Sequence, residues 1–227
     1  MKLSIIIPAH NEEKTIETVL GLVEAVDIAP WEKEIIVVND GSGDGTWQIL
    51  ENLQKLKNFI LLNHKKNLGK GAAIKTALEK VSGDFVIIQD ADLEYQPADF
   101  PALLQALNSG NRVVFGDRGI KRYPERGFHY VIGAKILTWS VNLLYGARLR
   151  DLYTGYKLIP SALIKGLNLQ SSGFEFEAEV ACKILKQGIQ IKEVPINYMP
   201  RSKQQGKHIR FKDAVVGLWT IVKFRLK

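Results

Sequence analysis

A chain of 227 residues with one cysteine, Cys182, cannot build a disulfide framework or a cysteine-rich zinc site. That thiol lies in the helical pattern "AEVACKILKQG", where it reads as core packing, and its isolation is compatible with a reducing compartment. Histidine is scarce as well: His10, His64, His129 and His208 lie far apart and form no short-spaced pair of zinc ligands. Long apolar runs are also missing. A membrane span needs about 20 apolar residues, whereas "AVVGLWTIV" stops far short and "YVIGAKILTWSVNLLYGA" is interrupted by Lys135. The opening "MKLSIIIPAHNEE" turns polar after one strand's length, so no secretory signal is expected and the protein reads as soluble or peripheral. With no repeat, low-complexity tract or linker, residues 1–227 read as one domain, divided into 1–120, 121–209 and a basic amphipathic helix over 210–227.

Charge is balanced except at the end. The formal charge is +7, and residues 201–227 hold eight basic side chains against the single acid Asp213, leaving 23 of each sign in residues 1–200. A basic tail on a neutral body argues for a local anionic partner and against nucleic acid.

What is present in the first half is an alternation of strands and helices. "LSIIIPA", "KEIIVVND", "FILLNH", "DFVIIQD" and "RVVFGD" are near-continuous apolar runs, separated by helical patterns over 12–26, 45–56, 71–81 and 97–107. Such runs predict a mostly parallel sheet, buried on both faces by helices. The second half predicts a helix over 128–145, a strand-like "LYTGYKLI", a helix over 176–186, a strand "IQIKEVPINY" and a final helix. Ligands in open α/β sheets bind at the carboxyl ends of strands. The unusual polar clusters of the first half fall there: "PAHNEE", "VNDGSGDGT", "NHKKNLGKG" and "QDADLEY".

Neither familiar nucleotide motif is met. The glycines of "GSGDGT" stand at 41, 43 and 45, one residue short of the dinucleotide fingerprint, and "LGKGAAIKT" lacks the first glycine of a P-loop. Asp40, Asp90 and Asp92 remain, beside a helix start at Gly69 to Gly71 whose free N–H groups favour an anion. A divalent cation can join carboxylates to an anion, and hard oxygen ligands select Mg²⁺ or Mn²⁺. Acids in such a turn also serve as helix caps or solvated loops.

The ordered segments "SIIIPAHNEE", "IIVVNDGSGDGT", "NLGKGAAI", "IIQDADLEYQP" and "VVFGDR" resemble the motifs of family 2 glycosyltransferases with the GT-A fold. "DLYTGYKL", "FEFEAEVACKILKQG" and "EVPINYMPRSKQQGKHIRFKDAVVGLWTIVKF" are similar to the dolichyl-phosphate mannose synthase-like, or polyprenyl-phosphate, branch. The resemblance implies a Rossmann-like GT-A sheet. It implies that Pro8, Ala9, Glu12 and Val38 line the nucleotide pocket, that Asp40 receives the base, and that Gly69 and Lys70 sit beside the nucleotide. Asp90 and Ala91 would contact sugar and ribose, Asp92 would ligate the metal with Glu94 as a further ligand, and Arg118 would face a phosphate or else form a surface ion pair. Lys157 stands where those synthases carry arginine, and Gly133 and Ala134 lie near the place of a phosphate-holding serine.

The implied reaction is inverting transfer of a hexose, mannose or glucose, from a GDP- or UDP-sugar, dependent on Mg²⁺ or Mn²⁺. A polyprenyl phosphate acceptor arrives already anionic and needs cationic positioning, for which Arg201 and Lys207 are candidates with Lys121, Arg122, Arg126 and Lys203. A glycan hydroxyl acceptor needs a base instead, and Asp151 is the candidate for base or positioning work, or else a buried structural aspartate. A third reading is a nucleotide-sugar-binding or membrane-docking subunit without turnover. The last helix, with Phe211, Val215, Leu218, Val222 and Trp219 among Lys212, Lys223, Arg225 and Lys227, suits an anionic membrane surface or packing on the sheet. Residence at the cytoplasmic face of the membrane, with or without an anchoring partner subunit, is the matching expectation.

Overall fold

The computed structural model describes residues 1–119, 128–201 and 211–226, and the side chains of 128–130 and 211–213 lie outside that description. Seven strands form one sheet: β1 (Lys2–Ala9), β2 (Glu32–Asp40), β3 (Ile60–His64), β4 (Phe85–Ile88), β5 (Val113–Asp117), β6 (Lys157–Pro160) and β7 (Ile191–Pro195). Their order is β3-β2-β1-β4-β6-β5-β7. β6 is antiparallel to both neighbours while every other pairing is parallel, so β6 alone runs backwards. The chain moves outward from β1 through β2 to β3, then returns to place β4 on the other side of β1. That reversal opens a crevice at the carboxyl ends of β1 and β4.

Both faces of the sheet are covered, as the unbroken apolar runs predict. Leu3, Ile5 and Ile7 join a core with α1 (Ile16–Ala25), α2 (Thr46–Gln54) and α4 (Phe100–Asn108). Ile6, Ile36 and Val38 join a second core with α3 (Lys70–Leu78), α5 (Phe128–Tyr145), α7 (Phe176–Lys186) and α8 (Phe211–Leu226). Alternate residues point to opposite faces of a strand, and here both sets are apolar.

Three expectations are corrected in extent. The first helix begins at Ile16 and not at residue 12, because Asn11 has a positive φ of 55° and Glu12 forms the turn that receives Thr15 and Ile16 N–H. "LYTGYKLI" is a strand only over Lys157–Pro160. Its earlier N–H groups are drawn to side chains: Asp151 N–H to Glu193, Leu152 N–H to Thr138 Oγ1 and Gly155 N–H to the Tyr95 hydroxyl. β7 stops at Pro195, opposite Asp117, the last residue of β5, with Ile196 N–H still donating to the Asp117 carbonyl oxygen at 3.1 Å. A short helix, α6 (Ser161–Gly166), follows β6 without having been anticipated.

Candidate active site

The turn after β4 brings Asp90, Asp92 and Glu94 together at the crevice, and two cations reach it from distant segments. Lys70, the first residue of α3, places Nζ 2.6 Å from Asp90 Oδ1 and 2.9 Å from Glu177 Oε1. Arg201 arrives from beyond β7, where Tyr198 bridges to Tyr95 and Met199 N–H donates to the Glu94 carbonyl. Its guanidinium donates to the Asp92 carbonyl oxygen at 2.8 Å and to both oxygens of Glu12 at 3.0 and 2.6 Å. Glu94 is buried, and its carboxylate accepts from the Arg201 backbone N–H at 2.8 Å and from the Tyr198 hydroxyl.

This crowding raises the proton affinity of Asp92. Burial, then the charges of Asp90 and Glu94, push the Asp92 carboxyl up to about 7, with Arg201 opposing. Among the described residues, Lys70 pairs with Asp90 and Arg201 with Glu12, while the Asp92 carboxylate has neither cation on it. A divalent cation is the kind of group that such a carboxylate can hold. The hard oxygens fit Mg²⁺ or Mn²⁺, which ordinarily take one or two carboxylates and complete their shell with substrate phosphates and water. Asp92 is the side chain that could hold such an ion, since among the described residues its Oδ1 accepts only the Glu94 N–H within the turn. Glu94 is tied by the Arg201 N–H and the Tyr198 hydroxyl, and its remaining lone pairs could still reach such an ion.

Around the crevice the other expected residues fall into two groups. Pro8 and Ala9 end β1 opposite Val38 and Asn39 of β2, and the Val38 side chain belongs to the core. Ala91 is buried at the β4 turn. Asp40 is buried, with Oδ1 accepting from His64 Nδ1 at 2.7 Å and Leu68 N–H at 2.9 Å, and Oδ2 from Gly69 N–H at 2.8 Å. It therefore ties the end of β2 to the loop that opens α3. Gly69 has a φ of 96°, and a Cβ there would lie 2.4 Å from the Ser172 carbonyl oxygen. That carbonyl also receives Ala72 N–H at 3.1 Å. The start of α3 is thus partly covered by the chain itself, a correction to its reading as a set of free N–H groups.

Arg118 and Asp151 form a buried pair, not a surface one. Arg118 Nε and Nη2 each donate to Asp151 at 2.7 Å, and the backbone N–H of Arg118 adds a third bond at 3.2 Å. Arg118 also stacks 5.3 Å from the Tyr198 ring centroid, so it is linked through that tyrosine to Glu94. Lys157 is fully buried beside Glu177. Lys207, like Lys121, Arg122, Arg126 and Lys203, lies outside the described residues. Sequence reading missed Glu177 and Tyr198. An acid in the first turn of a helix ordinarily signals dipole compensation, and nothing local showed Glu177 to be buried.

On the opposite side of the second half, α8 packs on α5 and α7 through Gly217, Thr220, Ile221 and Phe224. Its other side leaves Val215, Leu218 and Trp219 exposed, and on α5, which packs on α8, Ile132, Ile136, Trp139 and Leu143 are exposed too. Among the described residues, no helix is long and apolar enough to cross a membrane.

Glycosyl transferase family 2 matches residues 4–162. A dolichol-phosphate mannosyltransferase of Pyrococcus furiosus is 26% identical over 211 residues, 91% of this chain and 59% of its own length. The low-salt glycan biosynthesis hexosyltransferase Agl6 of Haloferax volcanii is 29% identical over 92% of this chain and 52% of its own length. The chain thus spans between half and three fifths of these two relatives. Glucosyl-3-phosphoglycerate synthase of Mycobacterium tuberculosis, solved with Mg²⁺ and UDP, superposes with a TM-score of 0.73 at 20% identity, covering 99% of this chain and 78% of that one. This last likeness establishes the GT-A-like fold.

Proposed function

Because the chain belongs to glycosyl transferase family 2, we propose that it moves a hexose from a GDP- or UDP-sugar to a polyprenyl phosphate, inverting C1, at an anionic membrane surface. The observation that carries this reading is the tip of β4. There Asp90, Asp92 and Glu94 share a crevice with Lys70 and Arg201, and burial together with the charges of Asp90 and Glu94 pushes the Asp92 carboxyl up to about 7. A divalent ion bound there supplies charge stabilisation for the departing nucleoside diphosphate.

The remaining work belongs to side chains. Asp92, with Glu94 behind it, holds the ion. Pro8, Ala9, Val38 and Asp40 frame the base, with Gly69 at the entrance to α3. Asp90 and Ala91 meet sugar and ribose. Lys70 and Arg201 take the diphosphate, Arg201 by exchanging the Glu12 carboxylate for phosphate oxygens, which a guanidinium pairs with in the same bidentate way. The UDP and Mg²⁺ in the M. tuberculosis structure suit this donor class.

Two observations favour a phosphate acceptor. A hydroxyl acceptor needs a base, and the candidate Asp151 is clamped by three N–H groups of Arg118. A lipid phosphate needs none, and the name of the P. furiosus relative points the same way. The exposed aromatic and aliphatic rows of α5 and α8, near Lys135, Lys223 and Arg225, suit the headgroup region of anionic lipid. Lys207 and the neighbouring basic residues would meet the acceptor phosphate.

The test incubates the protein with Mn²⁺, radiolabelled UDP- and GDP-sugars and polyprenyl phosphate in anionic vesicles. A lipid-extractable, mild-acid-labile product is expected. A donor that raises the melting temperature yet yields no such product would overturn the acceptor assignment.

A further inference from the structure

The Lys70 ammonium is held by more than Asp90. Its second partner, Glu177, stands in the first turn of α7, and the far oxygen of Glu177 meets Lys157 Nζ at 2.5 Å. Lys157 is fully buried and Glu177 nearly so. Four charges of alternating sign thus run from the core to the crevice: Lys157, Glu177, Lys70, Asp90.

Stability alone does not account for this row. Buried ion pairs lose hydration that apolar residues of similar volume do not, and such replacements are often neutral or stabilising. The hydrogen bonds assign separate tasks to the two lysines. An ammonium has three N–H groups. Those of Lys157 go to Glu177 and to the carbonyl oxygens of Leu152 and Thr154, so none is left for a ligand. Lys70 Nζ makes ion pairs with Asp90 and Glu177 at the crevice, and its side chain keeps 13% of its surface exposed there.

We infer that Glu177 is a positioning residue for donor binding: it fixes the Lys70 ammonium at the crevice, and Lys157 is the buried counter-ion that keeps Glu177 ionised. The inference rests on the reading of Lys70 as a diphosphate-binding residue. A lysine side chain turns about four bonds, and one carboxylate restrains its head at a single point. Asp90, moreover, faces the crevice and is the partner that a bound sugar nucleotide would engage. Glu177 is buried at 3% exposure, so a bound donor need not displace it from Lys70. The long side chain then meets an incoming phosphate with its conformation already restricted.

The experiment separates positioning from folding by removing the inner charges singly and together. Donor KM, kcat and melting temperature are measured for the wild type, Glu177→Gln and Glu177→Gln/Lys157→Met with the sugar nucleotide that the wild type uses. Glu177→Gln leaves Lys157 buried without a counter-charge and should lower both melting temperature and donor affinity. The double variant removes both charges and should recover most of the melting temperature. Its donor KM should nevertheless stay raised by about tenfold to a hundredfold, with kcat much less affected. A double variant with wild-type donor KM overturns the inference and makes the row purely structural. Should the double variant not fold, Glu177→Asp keeps the charge balance and draws the carboxylate back by one methylene. A raised donor KM at unchanged melting temperature then supports the inference, and an unchanged KM overturns it. Failure of the wild type to bind any sugar nucleotide is a different result, which removes the donor reading of Lys70 and this inference with it.

Discussion

Replacing Asp151 with asparagine tests whether the Arg118 pair holds the fold or does chemistry. Asp151 is 1% exposed and Arg118 5%, and three N–H groups of Arg118 converge on the carboxylate. An amide of the same shape offers one acceptor oxygen where the guanidinium meets two. Its NH₂ group would face either Nε–H or Nη2–H, donor against donor, and the guanidinium, which cannot lose its proton, would stay buried having lost the Asp151 charge. Breaking a buried pair from one side costs about 3–5 kcal/mol. At about 1.4 kcal/mol per tenfold, the folding constant falls by roughly two to three and a half orders of magnitude. For a chain of this length the melting temperature should drop by about 6–20 °C. Urea titrations followed by circular dichroism read the loss as a lower midpoint at unchanged slope. Arg118→Met/Asp151→Leu, which removes both charges, should recover most of it. A single variant within about 1 kcal/mol of wild type would refute the argument, since it would mean that the guanidinium finds water or another partner in place of Asp151. Transfer by Asp151→Asn has to be scored per folded molecule, because loss of fold alone would imitate loss of a base.

Three further outcomes follow from particular contacts. Asp92 binds its proton more tightly in the folded state than in the unfolded chain, where a carboxyl titrates near pH 4. Without metal its contribution to stability therefore declines as pH rises from about 4 to about 7. Mn²⁺ should raise the melting temperature increasingly over the same interval, an effect that Asp92→Asn removes, and a Mn²⁺ shift that is equal at pH 5 and pH 7.5 would count against Asp92 as ligand. Gly69→Ala combines a positive φ with a Cβ 2.4 Å from a carbonyl oxygen, whereas Gly110→Ala, at a similar φ of 92°, meets nothing within 4 Å. Denaturant midpoints should show Gly69→Ala as the costlier by about 1–3 kcal/mol, and equal losses would mean that the Ser172 carbonyl yields. Burial pushes the Cys182 thiol up to about 11, so an aromatic disulfide reagent at pH 8 should label it only after urea unfolding.

The positions of the acids were legible in the sequence, whereas their partners were not, for a physical reason. A strand buried on both faces is a continuous apolar run, so "DFVIIQD" marks its own end, and a carboxylate placed there must face the crevice. Boundaries failed where side chains competed for backbone groups, as in Asp151–Gly155, because a hydrogen bond to Glu193 or Tyr95 has no local pattern. Partners are harder still to read. Glu12 and Arg201 meet across 189 positions, and Lys70 reaches Glu177 across the fold. Only the sheet order, which brings β1 beside β4 and leaves α3 facing α7, makes those pairs neighbours. The consequence for binding is specific. Asp90 and Glu12 are already engaged by Lys70 and Arg201, so under the proposed donor reading a diphosphate and its metal enter by exchange: phosphate replaces Glu12 on Arg201 while the cation meets the charge of Asp92. Affinity then depends on a difference between two sets of ion pairs. On the proposed reading, residues expected at the donor stand at strand ends that the sequence marks, whereas a positioning residue such as Glu177 carries no local signal of its role.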